Sequence, residues 1–333
     1  MKKDMNRMLV ESTIRRVLKN IQEAPERTIR NLVDLGLDFC GGRFQTQFLE
    51  TMQKMLSNQN SAYYELAKDV AASVDHDILI NFSRNLGYNG CTKGAKVIRE
   101  LEAKRGFNIP WALNLVINEE KLETVYPDLL RQGEELGIYT YLLFADCRPE
   151  RIIPLLQGQP DSAFVLVLHS YQIDVSFIQK MKSVKNAMIA VCVDKDTKET
   201  CQKLRNSGLL CAVYQSYGEA DKPYILSGNW LASVLPDHPV FALLQAEPSC
   251  CAATQKEIYD YVISVRDGQQ YPVVLMDVKQ DTMMIDQVVS DGVCLAGFDA
   301  EGNLITHEGL MQGEQYNIFQ NRLEEVLERA EIK

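Results

Sequence analysis

The chain has 333 residues and a formal net charge of −10, with 46% of its residues hydrophobic and 24% charged. That length exceeds the usual size of one core, so one large or two modest domains are expected, and the hydrophobic fraction excludes a wholly disordered chain. No apolar run approaches the roughly 20 residues that cross a bilayer, the acidic total argues against nucleic acid, and the start MKKDMNRMLVESTIRR is too charged for a signal-peptide core, which points to the cytoplasm.

Residues 1–109 carry 17 Lys and Arg against 13 Asp and Glu and read as helix after helix. Over 5–22, Met8, Ile14, Val17, Leu18 and Ile21 share one stripe, and Pro25 ends the run. Further helices are expected over 26–39, over 45–57 after Cys40, Gly41 and Gly42, and over 61–73. Asp75 is placed to cap a helix that Gly87 closes, and the last runs from Thr92 to Gly106. The Gly41-Gly42-Arg43 turn allows a phosphate contact, but a plain helix break explains it equally well.

From Ile109 the rhythm changes, and residues 110–333 carry 18 Lys and Arg against 32 Asp and Glu. Apolar runs rich in β-branched and aromatic residues stand at 111–117, 138–145, 163–169, 187–193, 209–215, 240–246 and 272–278. Amphipathic stretches lie between them, among them Leu122–Leu136, Val175–Met181, Thr197–Asn206, Gln255–Arg266 and Asp281–Val289. Continuous apolar runs separated by helical crossovers are the pattern of parallel strands buried on both faces. Seven such repeats without a glycine-rich phosphate loop favour a βα barrel over a dinucleotide-binding sheet, with a doubly wound sheet as the competitor. In the tail, GFDAEGNLIT reads as a β-hairpin and 316–330 as a helix. The expected fold class is α/β: a TIM-like (β/α) barrel, partial or closed, over 109–290, with an all-helical N-terminal domain over 1–108 and a hairpin-plus-helix segment over 291–333.

Nine cysteines, at 40, 91, 147, 192, 201, 211, 250, 251 and 294, form no CxxC pair, which argues against a disulfide framework and a zinc site of ordinary spacing. Cys192 and Cys211 sit inside apolar runs and read as small buried hydrophobes. In a βα barrel, reactive groups gather at the C-terminal strand ends. Those positions hold Asp146, Arg148, His169, Asp194, Tyr217 and Glu247, the candidate ligand-binding residues. Arg148 suits a carboxylate or phosphate, and His169 suits a general base. Two plainer roles stay open: a structural hydrogen-bonding histidine, and a loop salt bridge between Asp146 and Arg148. No nucleophile elbow, Walker loop or HExxH is present.

Several segments, in order, resemble the radical-SAM (β/α) barrel with a SPASM- or twitch-like tail. ELGIYTYLLFADCRPERIIPLL (135–156) sits where that family has a strand, a GGEP loop and a helix. AMIAVCVDKDTKETCQKLRNSGLLCAVY (187–214) is similar to its strand, turn, helix and next strand. CLAGFDAEGNLIT (294–306) with RLEEVLE is similar to its auxiliary hairpin and closing helix. The resemblance spans about residues 110–330 and implies an iron–sulfur cluster and S-adenosylmethionine. The cluster loop CxxxCxxC is missing, however. Asn118–Val125 holds no cysteine, and the GGEP position reads Ala145-Asp146-Cys147-Arg148-Pro149. Three lost thiolates remove the ligation of a cluster, so the expectation is no cofactor and no metal. The functional expectation is a non-catalytic or diverged radical-SAM-like module that binds a protein or peptide partner or a small molecule, with no nucleic acid and no membrane. Its rival is an enzyme working with the polar strand-end residues. A third reading draws cluster ligands from Cys147, Cys192, Cys250, Cys251 and Cys294.

Overall fold

The computed structural model describes residues 5–39, 43–290 and 292–330; Cys40, Gly41 and Gly42, where a helix break is expected, lie outside the described residues. Helices α1 (Met5–Asn20), α2 (Pro25–Phe39), α3 (Arg43–Met55), α4 (Tyr63–Ser73) and α5 (His76–Ser83) open the chain. A π-helix over Arg84–Gly94 leads directly into α6 (Ala95–Arg105). Then come β1 (Ala112–Val116), α7 (Tyr126–Leu136), β2 (Thr140–Phe144), α8 (Ile153–Gly158), β3 (Ala163–Leu168), α9 (Val175–Met181) and β4 (Ala187–Cys192). Next are α10 (Thr197–Asn206), β5 (Cys211–Tyr217), α11 (Lys222–Leu226), α12 (Asn229–Val234), β6 (Phe241–Ala246), α13 (Ala252–Gly268), β7 (Val274–Asp277) and α14 (Val278–Val289). The tail forms β8 (Ala296–Phe298), β9 (Leu304–Thr306), β10 (Gly309–Leu310) and α15 (Leu323–Ala330).

All seven apolar runs are strands. Gly87, expected to close a helix, does not: the chain stays helical from His76 through Arg105. Asp75 does cap α5, its Oδ1 accepting from the backbone of Asp77 and Ile78 at 3.0 and 3.1 Å. The closing helix is shorter than expected, starting at Leu323 instead of 316.

Two compact units emerge, Met1–Ile80 with Ile189–Gln280, and Asn81–Met188 with Asp281–Lys333. In the first, α1 to α4 close around Ile21, Ile29, Val33, Leu56, Tyr64 and Ala71. Removing such side chains from water is worth about 1.5–3 kcal/mol each for the larger ones. Tyr64 is buried with its hydroxyl satisfied, donating to the Leu56 carbonyl at 2.7 Å. Strands β4, β5, β6 and β7 run parallel in that order. Arg205 of α10 forks onto the Asp69 carboxylate of α4, and Asp75 donates its N–H to the Gly208 carbonyl at 2.8 Å.

In the second unit the strand order is β10, β9, β8, β1, β2, β3, with β8 joining β1 in parallel and β9 returning antiparallel as the expected hairpin. The π-helix earns its odd geometry by what it grips. Asn85 donates to the carbonyls of Pro160 and Ser162, both at 2.8 Å, and Asn89 to that of Asp161 at 2.7 Å. Both asparagines are buried, and buried polar groups of this kind are tolerated because they are paired. At its far end Gly94 meets Gly137 so closely that a Cβ on Gly94 would stand 2.3 Å from the Gly137 carbonyl oxygen.

The α/β, TIM-like class is therefore observed in its partial form. Among the described residues β7 pairs only with β6 and β10 only with β9, leaving free edges where a closed barrel has none. No helix is long and apolar enough to cross a membrane, among the described residues.

Candidate functional site

Side chains alternate along a strand, so each sheet has two faces. In the second unit one face carries Leu113, Leu115, Tyr141, Leu143, Phe164 and Leu166, every one fully buried. The opposite face is mixed: Asn114, Val116, Phe144 and Val165 stay part-exposed, with Val116 at 38%, beside the buried Leu142 and Val167. The same contrast holds in the first unit. Val191, Val213, Ala242, Leu244 and Leu275 are fully buried, while on the other face Cys192, Tyr214, Gln245 and Met276 are half-buried and Ser216 is exposed, beside the buried Ala190, Ala212 and Leu243. Each unit thus has one strand face that is open over part of its area, mainly apolar, with a few polar groups set into it. Asn114 Oδ1 and Gln245 Oε1 lie buried there without hydrogen-bond partners. Burial and the nearby Asp194 carboxylate push the Cys192 thiol up to about 11, and burial raises the neighbouring Tyr214 phenol as well. Both groups stay neutral at physiological pH.

The six candidate residues fall three to a unit. Asp146, Arg148 and His169 belong to the second. Tyr171 donates its hydroxyl to Asp146 Oδ1 at 3.1 Å, and its ring stacks on His169 at 5.3 Å and 9°. Gln172 holds the arrangement together. Its Oε1 accepts from the His169 N–H at 2.8 Å, and its Nε2 donates to the Ala145 and Cys147 carbonyls at 2.9 and 3.0 Å. The loops after β2 and β3 are thereby tied side by side, and Tyr171 is fixed while 74% exposed. Arg148 is exposed and precedes a short helical turn over Pro149–Ile152.

Asp194, Tyr217 and Glu247 belong to the first unit. Asp194 works at the start of α10, exchanging hydrogen bonds with Thr197: its N–H donates to Thr197 Oγ1 at 2.7 Å, and its Oδ1 accepts from the same hydroxyl at 3.2 Å. Tyr217 is fully buried and donates its hydroxyl to Asp277 Oδ2 at 2.7 Å. Glu247 donates its N–H to the Tyr217 carbonyl at 2.9 Å. Beside them Glu219, which sequence reasoning passed over, sits at the N-terminus of α13. It accepts from Thr254 Oγ1 at 2.6 Å and from the Cys251 N–H at 2.9 Å. Those donors draw its carboxyl down to about 2. Asn114 was also passed over, although a lone amide inside an apolar strand run is a legible sign of an inward polar position.

The cluster implied by the family resemblance finds no fitting donors. The loop after β1 offers Asn118, Glu119 and Glu120 in place of thiolates. Among the described residues no group of three or more His, Cys, Asp or Glu side chains gathers as a metal site.

No family model matches the chain, and no curated protein matches it. Solved structures do. SuiB of Streptococcus suis matches with a TM-score of 0.51 at 11% identity, over 87% of this chain and 82% of that one. SuiB bound to the precursor peptide SuiA matches at 0.50 and 10%, over 71% and 68%. SuiB bound to S-adenosylmethionine matches at 0.52 and 11%, over 71% and 67%. The last corrects the expectation of no cofactor, because a protein of this fold holds S-adenosylmethionine. That expectation rested on the missing thiolates, which ligate iron. At such identities the likeness is one of fold, and it supports the radical-SAM-like fold that the sequence resemblance implies.

Proposed function

We propose that this chain is a functionally diverged radical-SAM-like protein that binds a peptide on its open strand faces. Asp146, Arg148, His169, Asp194, Tyr217 and Glu247 supply the polar strand-end residues around them, and the cytoplasm is its place of work. The observation that carries this reading is the two-faced burial of the strands. Leu115 is fully buried while its neighbour Val116 is 38% exposed, and a core packed on both sides leaves no such contrast. Half-exposed apolar side chains with sparse, unpartnered amides are the lining of a ligand surface. The SuiB structure with SuiA adds support, since a protein of the same fold takes a peptide. The excess of Asp and Glu over residues 110–333, 32 against 18 Lys and Arg, favours a basic peptide. S-adenosylmethionine, held by SuiB, is the first small molecule to offer it.

A second reading, an enzyme acting at the strand ends, draws on one arrangement: an exposed His169 imidazole stacked on a phenol that Asp146 anchors.

Peptide binding is tested by panning a phage-displayed random peptide library on the full chain and remeasuring enriched peptides by fluorescence polarisation. Val116→Lys is expected to weaken them tenfold or more, about 1.4 kcal/mol, with little change in melting temperature. Peptides that bind the variant as tightly as the natural chain, or no enrichment, would sink the reading.

A further inference from the structure

Cys201 on α10 and Cys211, the first residue of β5, face each other with their sulfurs 3.5 Å apart. Both are buried, at 0% and 6% exposure. Two sulfurs at that distance touch, and nothing lies between them. A disulfide needs about 2.05 Å, so the pair has only about 1.5 Å to close. The backbone between them is held by hydrogen bonds. Ser207 bonds back to the Lys203 and Leu204 carbonyls at 3.2 and 3.0 Å, and Leu209 to that of Leu204 at 3.1 Å, so the last turn of α10 passes straight into β5.

We propose that Cys201 and Cys211 form a redox-closable dithiol whose oxidant is a small-molecule disulfide of the glutathione class. One cysteine thiolate attacks the reagent RSSR, forming a mixed disulfide and expelling RS⁻. The second thiolate attacks the protein-bound sulfur, the Cys201–Cys211 bond forms, and the second RS⁻ leaves. The two cysteine protons end on the two released thiols. Two protein thiols are oxidised and one RSSR is reduced to two RSH.

The adjacent Cys201 sulfur and burial hold the Cys211 thiol well above its ordinary value, so few thiolates form in the closed state. Oxidation therefore waits on local opening of the α10 turn and is slow. The finished bond is buried and resists reductants for the same reason. It would fasten α10, whose start holds Asp194 through Thr197, to the strand that carries Tyr214, Ser216 and Tyr217.

The full native chain is incubated overnight with glutathione disulfide, alkylated with N-ethylmaleimide under denaturing conditions and digested with trypsin without reductant. Lys203 and Arg205 separate the two cysteines into different peptides, so a linkage shows in mass spectrometry as a joined pair two hydrogens lighter than its parts. The expected result is that pair, lost on adding dithiothreitol, while exposed Cys251 carries a glutathione adduct. A Cys211→Ala variant is expected to leave Cys201 alkylated. Recovery of both Cys201 and Cys211 as alkylated thiols once Cys251 is fully modified overturns the proposal, as does a Cys201 bond to any other cysteine.

Discussion

Tyr217 and Asp277 lock the ends of β5 and β7 together: the phenol donates to Asp277 Oδ2 at 2.7 Å, and neither side chain is exposed. Asp277 Oδ1 in turn accepts the Gln280 N–H at 2.9 Å, so one carboxylate starts α14 and satisfies a buried tyrosine. A candidate ligand-binding residue is thus also a structural bolt. Tyr217→Phe is expected to cost about 1–3 kcal/mol, the penalty for stranding a buried acceptor, read from urea unfolding midpoints. Burial, followed by the Asp277 charge, raises the phenol above its ordinary value. The unfolded chain therefore releases this proton first, and stability falls as pH rises past about 10. That alkaline loss should be smaller in the Phe variant.

Glu219 governs the acid side. Thr254 and Cys251 lower its carboxyl to about 2 from an ordinary 4.5. A depressed folded value means stability fully present above 4.5 and lost as pH falls toward about 2. Melting temperatures measured across that window should show a shallower decline for Glu219→Gln than for the natural chain. Parallel declines would show that the carboxylate is not seated at α13.

Asp286 behaves in the opposite sense. It is fully buried, its Oδ1 takes the Trp111 N–H at 2.6 Å, and its Oδ2 has no partner. Burial raises its carboxyl well above the ordinary value, so the folded chain keeps a proton that the unfolded chain gives up. Stability linked to this group is present at low pH and declines as pH rises above about 3.9. Asp286→Asn keeps an acceptor for Trp111 and removes the titration. Its stability relative to the natural chain is expected to improve from pH 4 to pH 8 in denaturant titrations.

Gly94→Ala is expected to destabilise by about 3 kcal/mol or to abolish folding, because its Cβ has no room beside the Gly137 carbonyl. Asn85→Ala strands two carbonyls, those of Pro160 and Ser162, and should cost about 2–3 kcal/mol. Gly87→Ala is the control. Nothing lies within 4 Å of its Cβ position, and the same calorimetric scan should show it unchanged or slightly stabilised.

How far residue patterns reach is visible in these same positions. The seven apolar runs became strands because they are short, rich in β-branched and aromatic residues and separated by helical stretches, which is what a buried parallel strand requires. GFDAEGNLIT formed its hairpin because Asp299 Oδ1 accepts from the Glu301 and Asn303 backbones at the turn, as its residue type suggests. The open faces were hidden for a physical reason. Tyr214 and Cys192 are as apolar as a core requires, and composition does not distinguish a packed strand face from a half-buried one. Glu219 escaped notice because its place at α13 depends on two segments about thirty residues apart. Gly87 read as a stop, since local preference weighs against glycine in a helix, yet the contacts of Asn85 and Asn89 outweigh that preference.

The stretch from Arg84 to Gly94 acts as a ruler. Its hydrogen bonds span five residues, so its turns are wider than the usual 3.6. The gripping side chains come at Asn85 and Asn89 and the close-packed glycine at Gly94, steps of four and then five. An ordinary helix over the same sequence would rotate Gly94 off that line and set a neighbouring side chain against Gly137. The segment's length is therefore fixed by count as much as by composition. A one-residue insertion or deletion there would release either the 160–162 loop or the Gly137 turn, even if every other residue were kept.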